Sequence, residues 1–286
     1  MSAGDASGAS AMPLTGRGRV AGYALLGLAV LCVVGPFLWI LMNSLKHQID
    51  IFTGAWRFTP TLANYSEVLF SRRSDFAGNV LNSAIVAAAS TALVLVVGTL
   101  AAYSLYRFKW ARWISSAFLG WTLIFHMIPV LTLVGPWYIT FRQLGWYDTL
   151  GGLVLAHVTM NLPMTVWLMM AFFREIPPEL DEAALIDGCR PLQAFRLIAL
   201  PLAAPGLIAA GILAFIFSWN DFAIALNLTT RDTATVPVAI ARFAQQYEVL
   251  HSQMAAAAVI STLPALALMA FGQRFIVQGL TLGSVK

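Results

Sequence analysis

Charged side chains are scarce in this chain. Asp, Glu, Lys and Arg make up 10% of its 286 residues, against about 25% in soluble globular proteins, while 59% of the residues are apolar. The 17 Lys and Arg outnumber the 13 Asp and Glu, but they form no clustered basic stripe, so we expect no nucleic-acid partner. The composition instead predicts an all-α membrane protein.

Catalytic and metal-binding motifs are also lacking. The two cysteines, Cys32 and Cys189, lie in an apolar segment and a charged loop, so neither a disulfide framework nor a metal-ligand spacing is expected. The chain has no G-x-x-x-x-G-K-[ST] run for nucleotide phosphates, and neither an H-E-x-x-H nor a G-x-S-x-G motif. We therefore expect a non-catalytic chain with no metal or cofactor of its own.

Six apolar segments are long enough to cross a membrane as helices. The first follows a small, polar tail (1–19), and its length favours an uncleaved span over the shorter apolar core of a signal peptide. The expected organisation is this tail, one transmembrane domain (20–276) and a C-terminal tail (277–286). The predicted spans are 20–43, 79–104, 113–139, 150–173, 203–227 and 254–276.

The loops between these spans differ in their basic residues. The short loop 105–112 carries three of them, whereas loop 140–149 carries only Arg142. Because basic loops tend to stay on the cytoplasmic side, this bias predicts that both termini are cytoplasmic. The chain is thus expected to be a multi-pass protein of the cytoplasmic membrane.

Loop 174–202, between the fourth and fifth predicted spans, is abruptly charged. Prolines suit the start of a helix at Pro178, acids in its first turns favour the positive end of the helix dipole, and Gly188 can end it. We predict a short helix from about Pro178 to Asp187, followed by a second helix that Pro191 opens and Pro201 closes.

The two helices form an elbow, the name used below for residues 174–202. The small residues Ala183 and Ala184 would let another protein approach closely. A helix lying on the membrane surface is the alternative, but anionic lipid head groups would repel its acids. Docking of a protein partner is therefore favoured.

The elbow resembles the EAA signature of ABC importer permeases. The resemblance lies in Glu182-Ala183-Ala184, three residues, Gly188, nine residues, and then Ile198-Ala199-Leu200-Pro201. It implies the type I ABC importer permease fold of six transmembrane helices, with a cytoplasmic coupling helix between spans 4 and 5. That helix would sit in a groove of a separate ATPase, which would bind ATP and Mg. The coupling residues implied are Glu179, Glu182, Ala183, Ala184, Asp187 and Gly188.

One residue departs from the family pattern. Arg190 stands where a capping Ser or Thr often precedes the second helix, which predicts a cap weaker by about 1 kcal/mol.

Shorter stretches are similar to the carbohydrate-type branch, and within it to the maltose-permease-like second subunit. The resemblance implies a bacterial or archaeal importer of a sugar, oligosaccharide, polyol or sugar derivative, without choosing among them. Its implied partners are a second permease, a dimer of ABC ATPases, an extracytoplasmic solute-binding protein and membrane lipid. The similar stretches are Asn43-Ser44-Leu45-Lys46, Asn64-Tyr65, Asn82-Ser83, Ala101-Ala102-Tyr103, Tyr147-Asp148-Thr149, Ser218-Trp219-Asn220-Asp221-Phe222 and 278–286, whose end either frays or contacts the ATPase.

Polar side chains inside spans mark candidate positions on the transport path, since they are costly in lipid. Asn161 is followed by Pro163, which frees a backbone carbonyl near mid-membrane, and Trp219 and Asn220 offer an aromatic face and an amide to a sugar. Asp221 lies near the outer interface, where it either contacts the substrate or caps a helix end.

An ion-coupled secondary transporter for a small polar solute is the alternative function. Such transporters use acids or histidines in their spans as ion relays and often contain internal repeats. Asp221 is the one candidate acid in the predicted spans, and we find no repeat. Dependence of transport on an ATPase separates the two functions.

Overall fold

The computed structural model describes residues 16–71, 74–108, 110–244 and 249–282, and this part of the chain is helical without a β strand. The outer parts of both predicted tails, 1–15 and 283–286, lie outside the described residues. A π-helical turn, Phe195–Ala199, separates α9 from α10. The α-helices are α1 (Gly16–Ser44), α2 (Gln48–Phe52), α3 (Ala63–Phe70), α4 (Phe76–Arg107), α5 (Arg112–Met127), α6 (Val130–Gln143), α7 (Leu150–Glu175), α8 (Pro178–Ile186), α9 (Pro191–Ala194), α10 (Leu200–Leu202), α11 (Ala204–Asn220), α12 (Ala223–Leu228), α13 (Val236–Arg242) and α14 (His251–Leu282).

Four of the described helices are long and apolar enough to cross a membrane singly: α1, α4, α7 and α14. Two further runs meet the same criterion only as bent pairs. The bend is 100° between α5 and α6, and 76° between the Pro191–Leu202 run and α11. If each bent pair crosses as one span, the described chain has six.

The predicted third span, 113–139, is not one continuous helix. α5 ends at Met127 and α6 begins at Val130. Pro129 has no N–H to continue the helix, and it disfavours helical backbone in the residue before it, so Ile128 adopts an extended ψ of 125°. The prediction of a single uninterrupted helix was wrong at this proline.

The predicted fifth span, 203–227, is also interrupted. α11 ends at Asn220, Asp221 has an extended ψ of 126°, and α12 then begins at Ala223. The Asp221 side chain compensates for the break, because its Oδ2 accepts a hydrogen bond from the backbone N–H of Ala225 at 3.1 Å. The carboxylate therefore caps the short helix α12 and does not lie within a longer α11.

The centre of the molecule is formed by α4, α7 and α11, which pack along one another. Within the most apolar window of each helix, 56% of the residues are buried in α7, 33% in α4 and none in α1. One apolar cluster, around Phe173 and Phe195, joins α4 and α7 to the elbow. Another, around Phe76 and Trp219, lies at the opposite end, which carries α2, α3, α12 and α13.

At this opposite end, side-chain amides and hydroxyls form hydrogen bonds with the backbone of irregular segments. Asn64 Nδ2 donates to the carbonyl oxygens of Ser44 and Lys46, both at 2.8 Å. Ser83 Oγ accepts from the backbone N–H of Val236 at 2.8 Å. Buried backbone polar groups need such partners, so these residues allow the loops to close over the helix ends.

Hydrogen bonds to the Asp148 side chain hold the segment that follows α12 in place. Its carboxylate accepts from the backbone N–H of Thr230 at 2.8 Å and from the hydroxyls of Thr230 and Thr233. Burial raises the pKa of Asp148, but the hydrogen bonds from Thr230 and Thr233 outweigh it and hold the pKa below its usual value. The charged form is therefore the one that the fold favours.

We expect Asp148→Asn to loosen residues 229–235. Because the folded-state pKa is depressed, the stabilisation is present above the unfolded pKa of about 3.9 and is lost as the pH falls through the folded value. Hydrogen exchange, corrected for intrinsic rates, should accelerate in this segment in the variant at pH 7 and in the wild type only under acid. Asp232→Asn, which changes an exposed neighbouring acid, is the control. Protection in Asp148→Asn equal to that of the wild type would contradict the prediction.

Candidate functional site

The first helix of the elbow, α8, spans Pro178–Ile186, close to its predicted bounds. Its first turn contains Glu179 and Asp181, whose charges favour the positive end of the helix dipole. Gly188 follows with a φ of +89°, which side-chain-bearing residues rarely adopt. Its N–H donates to the Leu185 carbonyl at 3.1 Å, and that of Cys189 donates to the Ala184 carbonyl at 2.9 Å. These two bonds are those of a Schellman C-cap.

The two sides of α8 differ sharply in exposure. Asp181 and Ala184 are buried, with 7% and 4% of their surfaces exposed. The methyl group of Ala184 is therefore covered by the chain itself, and the coupling role implied for this residue stays a prediction. An exposed stripe occupies the other side at helical spacing and consists of Glu179, Glu182, Ala183 and Ile186, with Asp187 and Gly188 exposed just beyond it.

The exposed stripe combines acids with a large apolar side chain. Ile186 is 86% exposed, and Leu185 beside it is 47% exposed. Leu185 and Ile186 thus place exposed apolar surface directly beside the carboxylates of α8.

The second half of the elbow differs in detail from its prediction. Gln193 Oε1 accepts from the backbone N–H of Arg190 at 2.7 Å, which supplies half of a capping box. Pro201 does not close the helix, since it lies in the first turn of α10, where its missing N–H costs no bond. The chain turns only at Ala203, before α11 begins.

The elbow is tied to the end of α4 by an ion pair. Arg107 Nε lies 2.5 Å from Asp181 Oδ2, and both side chains are at least 90% buried. Tyr103 donates its hydroxyl to the same carboxylate oxygen at 3.3 Å. Arg107 Nη2 also donates to the carbonyl of Ile176, the residue that follows α7, at 3.1 Å.

A second polar group lies deep among the three central helices. Asn161 Nδ2 donates to Ser218 Oγ at 3.2 Å and to the His157 carbonyl at 3.0 Å. Ser218 Oγ lies 2.9 Å from Ser90 Oγ, so α4, α7 and α11 share one hydrogen-bonded chain. The side chain of Asn161 is thus engaged inside the bundle and does not project into an open path of this chain.

The chain of polar contacts ends at the break after α11. His157 Nε2 lies 3.3 Å from Asp221 Oδ2, the same oxygen that caps α12. Trp219 is buried and donates its indole N–H to the Ser261 carbonyl at 3.0 Å, so it faces α14. Asn220 is exposed at the break. Of the four predicted path residues, Asn220 is the one classed as exposed.

The described residues contain no cluster of three or more His, Cys, Asp or Glu side chains that could hold a metal ion. The acids of the elbow and the acid at the helix break lie on different elements, and each has protein contacts or solvent around it.

Residues 94–282, more than half of the chain, match the family model described as binding-protein-dependent transport system inner membrane component. The chain belongs to this family. The matched segment includes the end of α4, the elbow and the polar residues of α7 and α11. This protein is therefore a membrane-spanning permease subunit of a binding-protein-dependent importer, as the resemblance of the elbow implied.

Full-length relatives agree with this assignment. The permease is 39% identical over 271 residues to the trehalose transport system permease protein SugB of Mycobacterium tuberculosis, covering 93% of this chain and 94% of that protein. It is 36% identical over 265 residues to the trehalose/maltose transport system permease protein MalG of Thermococcus litoralis, covering 91% and 93%.

Its fold resembles that of a chain in the crystal structure of a bacterial ABC transporter that imports the acidic polysaccharide alginate. The TM-score is 0.77 at 21% identity, covering 91% of this chain and 98% of that chain. A chain of the MetNI methionine ABC transporter gives 0.58 at 20% identity, covering 71% and 95%. The expected all-α importer permease fold is confirmed.

Arg107, Tyr103 and Asp181 were missed as a group by sequence reasoning about this permease. Asp181 was assigned only to the helix dipole, and Arg107 only to the charge bias of its loop. A signal was available, since a single basic residue at the end of an apolar helix needs an acidic partner if the elbow folds over it. The sequence could not say which elbow acid that partner is.

Proposed function

We propose that this permease subunit imports a sugar, with trehalose- and maltose-like disaccharides as the first substrates to test. The observation that carries the proposal is the similarity, over more than 90% of the chain, to permeases named for trehalose and maltose transport. Relatives at 32% and 31% identity are named for sulfoquinovosyl glycerol and diacetylchitobiose, so the proposed class includes sugar derivatives. Hydroxyl-rich, uncharged substrates need only amides, aromatic faces and backbone groups.

The exposed stripe of α8 is the proposed ATPase-docking surface. The carboxylates of Glu179 and Glu182 would meet basic groups of the ATPase, Ala183 allows close approach, and Ile186 would fill an apolar pocket. Asp187 and Gly188 would lie at the edge of the contact, and Gly188 fixes the backbone there. ATP and Mg are bound by the partner ATPase in this proposal, and this chain moves without catalysing.

The remaining proposed partners would contact the two ends and the lateral surfaces of the molecule. The elbow end and both termini are proposed to be cytoplasmic, because the elbow meets an ATPase there. A second permease and lipid would cover the apolar side chains that α5 and α6 expose, such as Met127 at 80% and Leu131 at 67%. The solute-binding protein would dock on the opposite end.

Asn220 is the proposed substrate-path residue in this chain. It is exposed where α11 breaks, while Asp221 holds the break through His157 and the backbone N–H of Ala225. Asn161 and Trp219 are proposed to support the residues that line the path, since both are themselves buried.

Purification of the permease from its native membrane with whatever accompanies it tests the proposal. We expect an ABC ATPase and a second permease to be recovered with the wild type. Glu182→Lys reverses a charge at the centre of the exposed stripe, so the ATPase should be lost and ATP-dependent uptake of labelled trehalose or maltose into proteoliposomes should fall at least tenfold. Mass spectrometry and uptake are the two measurements.

Asp232→Lys is the matched control, because it makes the same charge reversal at an exposed acid of the opposite end. That variant should keep the ATPase. If wild type and Glu182→Lys retain equal amounts of ATPase, α8 is not the docking surface. If the wild type brings no ATPase at all and takes up sugar without ATP, the ion-coupled alternative replaces the proposed function.

A further inference from the structure

The attachment of α8 to the rest of the chain rests on very few residues. Of its nine residues, only Asp181 and Ala184 are buried. Ala184 contributes a single methyl group, whereas Asp181 receives both the Arg107 guanidinium and the Tyr103 hydroxyl. The ion pair is therefore the contact that ties α8 to α4, while α8 also packs against α9 and the π-helical turn that follows it.

Arg107 joins three elements at one point. It is the last residue of α4, it pairs with Asp181 in the first turn of α8, and it bonds the carbonyl of Ile176 where α7 ends. Its guanidinium also lies over the Tyr106 ring, 5.0 Å from the centroid. A planar cation with several donors suits such a junction, because its charge can pair with Asp181 while Nη2 donates to the Ile176 carbonyl.

A buried ion pair is weak evidence of stabilisation by itself. Taking two charges out of water costs about as much as their attraction returns, and well-packed apolar residues often hold a protein as well. Apolar packing is available here, since Tyr103, Phe173 and Phe195 already form an aromatic cluster next to the pair. What the pair adds over apolar packing is a fixed register between α8 and α4.

α4 extends from this junction to the opposite end of the molecule. Asn79 near its start donates to the Ala234 carbonyl at 3.0 Å, and Ser83 bonds the N–H of Val236. The rise of an α-helix places Asn79 roughly 40 Å from Arg107. In between, Ser90 contacts Ser218 of α11. A displacement of the Arg107 end thus reaches both the central helices and the far loops through one continuous element.

We propose that Arg107 and Asp181 are a positioning pair that transfers movement of α8 into α4. The inference rests on the proposed function, because it takes α8 as the surface that the ATPase moves. Tyr103 supports the pair by holding the shared carboxylate oxygen. The pair contacts no substrate and does not form the docking surface, since it faces inward.

The pair is tested by Asp181→Asn in the purified complex of permease, partner permease, ATPase and solute-binding protein. The ATPase should remain bound, because the exposed stripe is untouched. Sugar uptake per ATP hydrolysed should fall roughly tenfold, because ATPase movement no longer reaches α4. Asp181→Glu, which keeps the charge, should retain more coupling than Asp181→Asn. Glu175→Gln, an exposed acid at the end of α7, is the control for loss of a carboxylate at this end.

A charge-exchanged double variant, Arg107→Asp with Asp181→Arg, keeps the proposal testable if Asp181→Asn fails to accumulate. Recovery of uptake per ATP above that of Arg107→Asp alone supports the pair. Loss of the ATPase from Asp181→Asn would overturn the proposal by assigning Asp181 to docking, and an unchanged uptake-to-ATP ratio in an intact complex would overturn it directly. A wild-type preparation without an ATPase refutes the proposed function instead, so the two failures are distinguishable.

Discussion

Gly206→Ala is expected to destabilise the permease by about 1–3 kcal/mol, the usual cost of overpacking a well-filled interior. Gly206 lies at the start of α11 against the Phe172 ring of α7. A β-carbon there would lie 2.9 Å from Cδ1 of Phe172 and closer still to Cγ and Cδ2. Since the ring is itself buried, one of the two helices must shift. The thermal unfolding midpoint of the detergent-solubilised permease should fall by several degrees.

Gly78→Ala is the matched control for this prediction. No atom lies within 4 Å of the β-carbon that it would add, and the position is exposed within α4. Alanine should be neutral or stabilising there by up to about 1 kcal/mol, because it favours helix over glycine. Phe172→Leu combined with Gly206→Ala should recover part of the loss. If Gly206→Ala and Gly78→Ala behave alike, the two helices do not pack as closely as described.

Gly188→Val is expected to lower ATP-dependent uptake by roughly tenfold. A β-branched residue at the φ of +89° that Gly188 adopts costs about 1–2 kcal/mol, and 1.4 kcal/mol corresponds to a tenfold change in population. The C-cap of α8 would open, and the exposed stripe would lose its orientation. Uptake of labelled sugar into proteoliposomes, normalised to permease content, measures the effect.

Gly188→Asn separates backbone conformation from side-chain bulk. Asparagine tolerates left-handed backbone better than valine, so this variant should keep most of its uptake. The described chain leaves open space around the position, with no atom within 4 Å of an added β-carbon. Equal losses in both variants would show that bulk at the docking surface matters, and that the backbone conformation does not.

Much of the fold could be predicted because the length of an apolar segment can be read directly from the local sequence. α1, α4, α7 and α14 each appear in the sequence as an apolar run, and α8 as an acidic stretch between Pro178 and Gly188. The breaks were harder to predict. Pro129 interrupts its helix whereas Pro136 lies inside α6, so the presence of a proline does not by itself predict a break.

The contacts of the candidate site depend on tertiary structure. Tyr103 and Asp181 are 78 positions apart in the chain, and no local pattern pairs them. Trp219 was predicted on the path because it offers an aromatic face to a sugar, but in the structure it donates its indole N–H to the Ser261 carbonyl. Exposure within a bundle cannot be inferred from residue type, because each helix has both a buried and an open side.

From the sequence alone, no physical role could be assigned to the short stretches that resemble the carbohydrate branch. The structure supplies one for several of them. Asn64, Asn82 and Asp148 each hold the backbone of a distant segment through side-chain hydrogen bonds. Residues of this kind specify where loops attach, which explains how scattered short matches can accompany one fold.

The unequal burial of α1 and α7 has a consequence for how the permease is made. None of the most apolar window of α1 is buried within the chain, so α1 can enter the bilayer as soon as it leaves the ribosome. α7 contains His157 and Asn161, whose partners lie on the later α11 and the break that follows it. The polar side chains of α7 therefore find these partners only after α11 has been synthesised, so we expect the insertion of α7 to become stable only then.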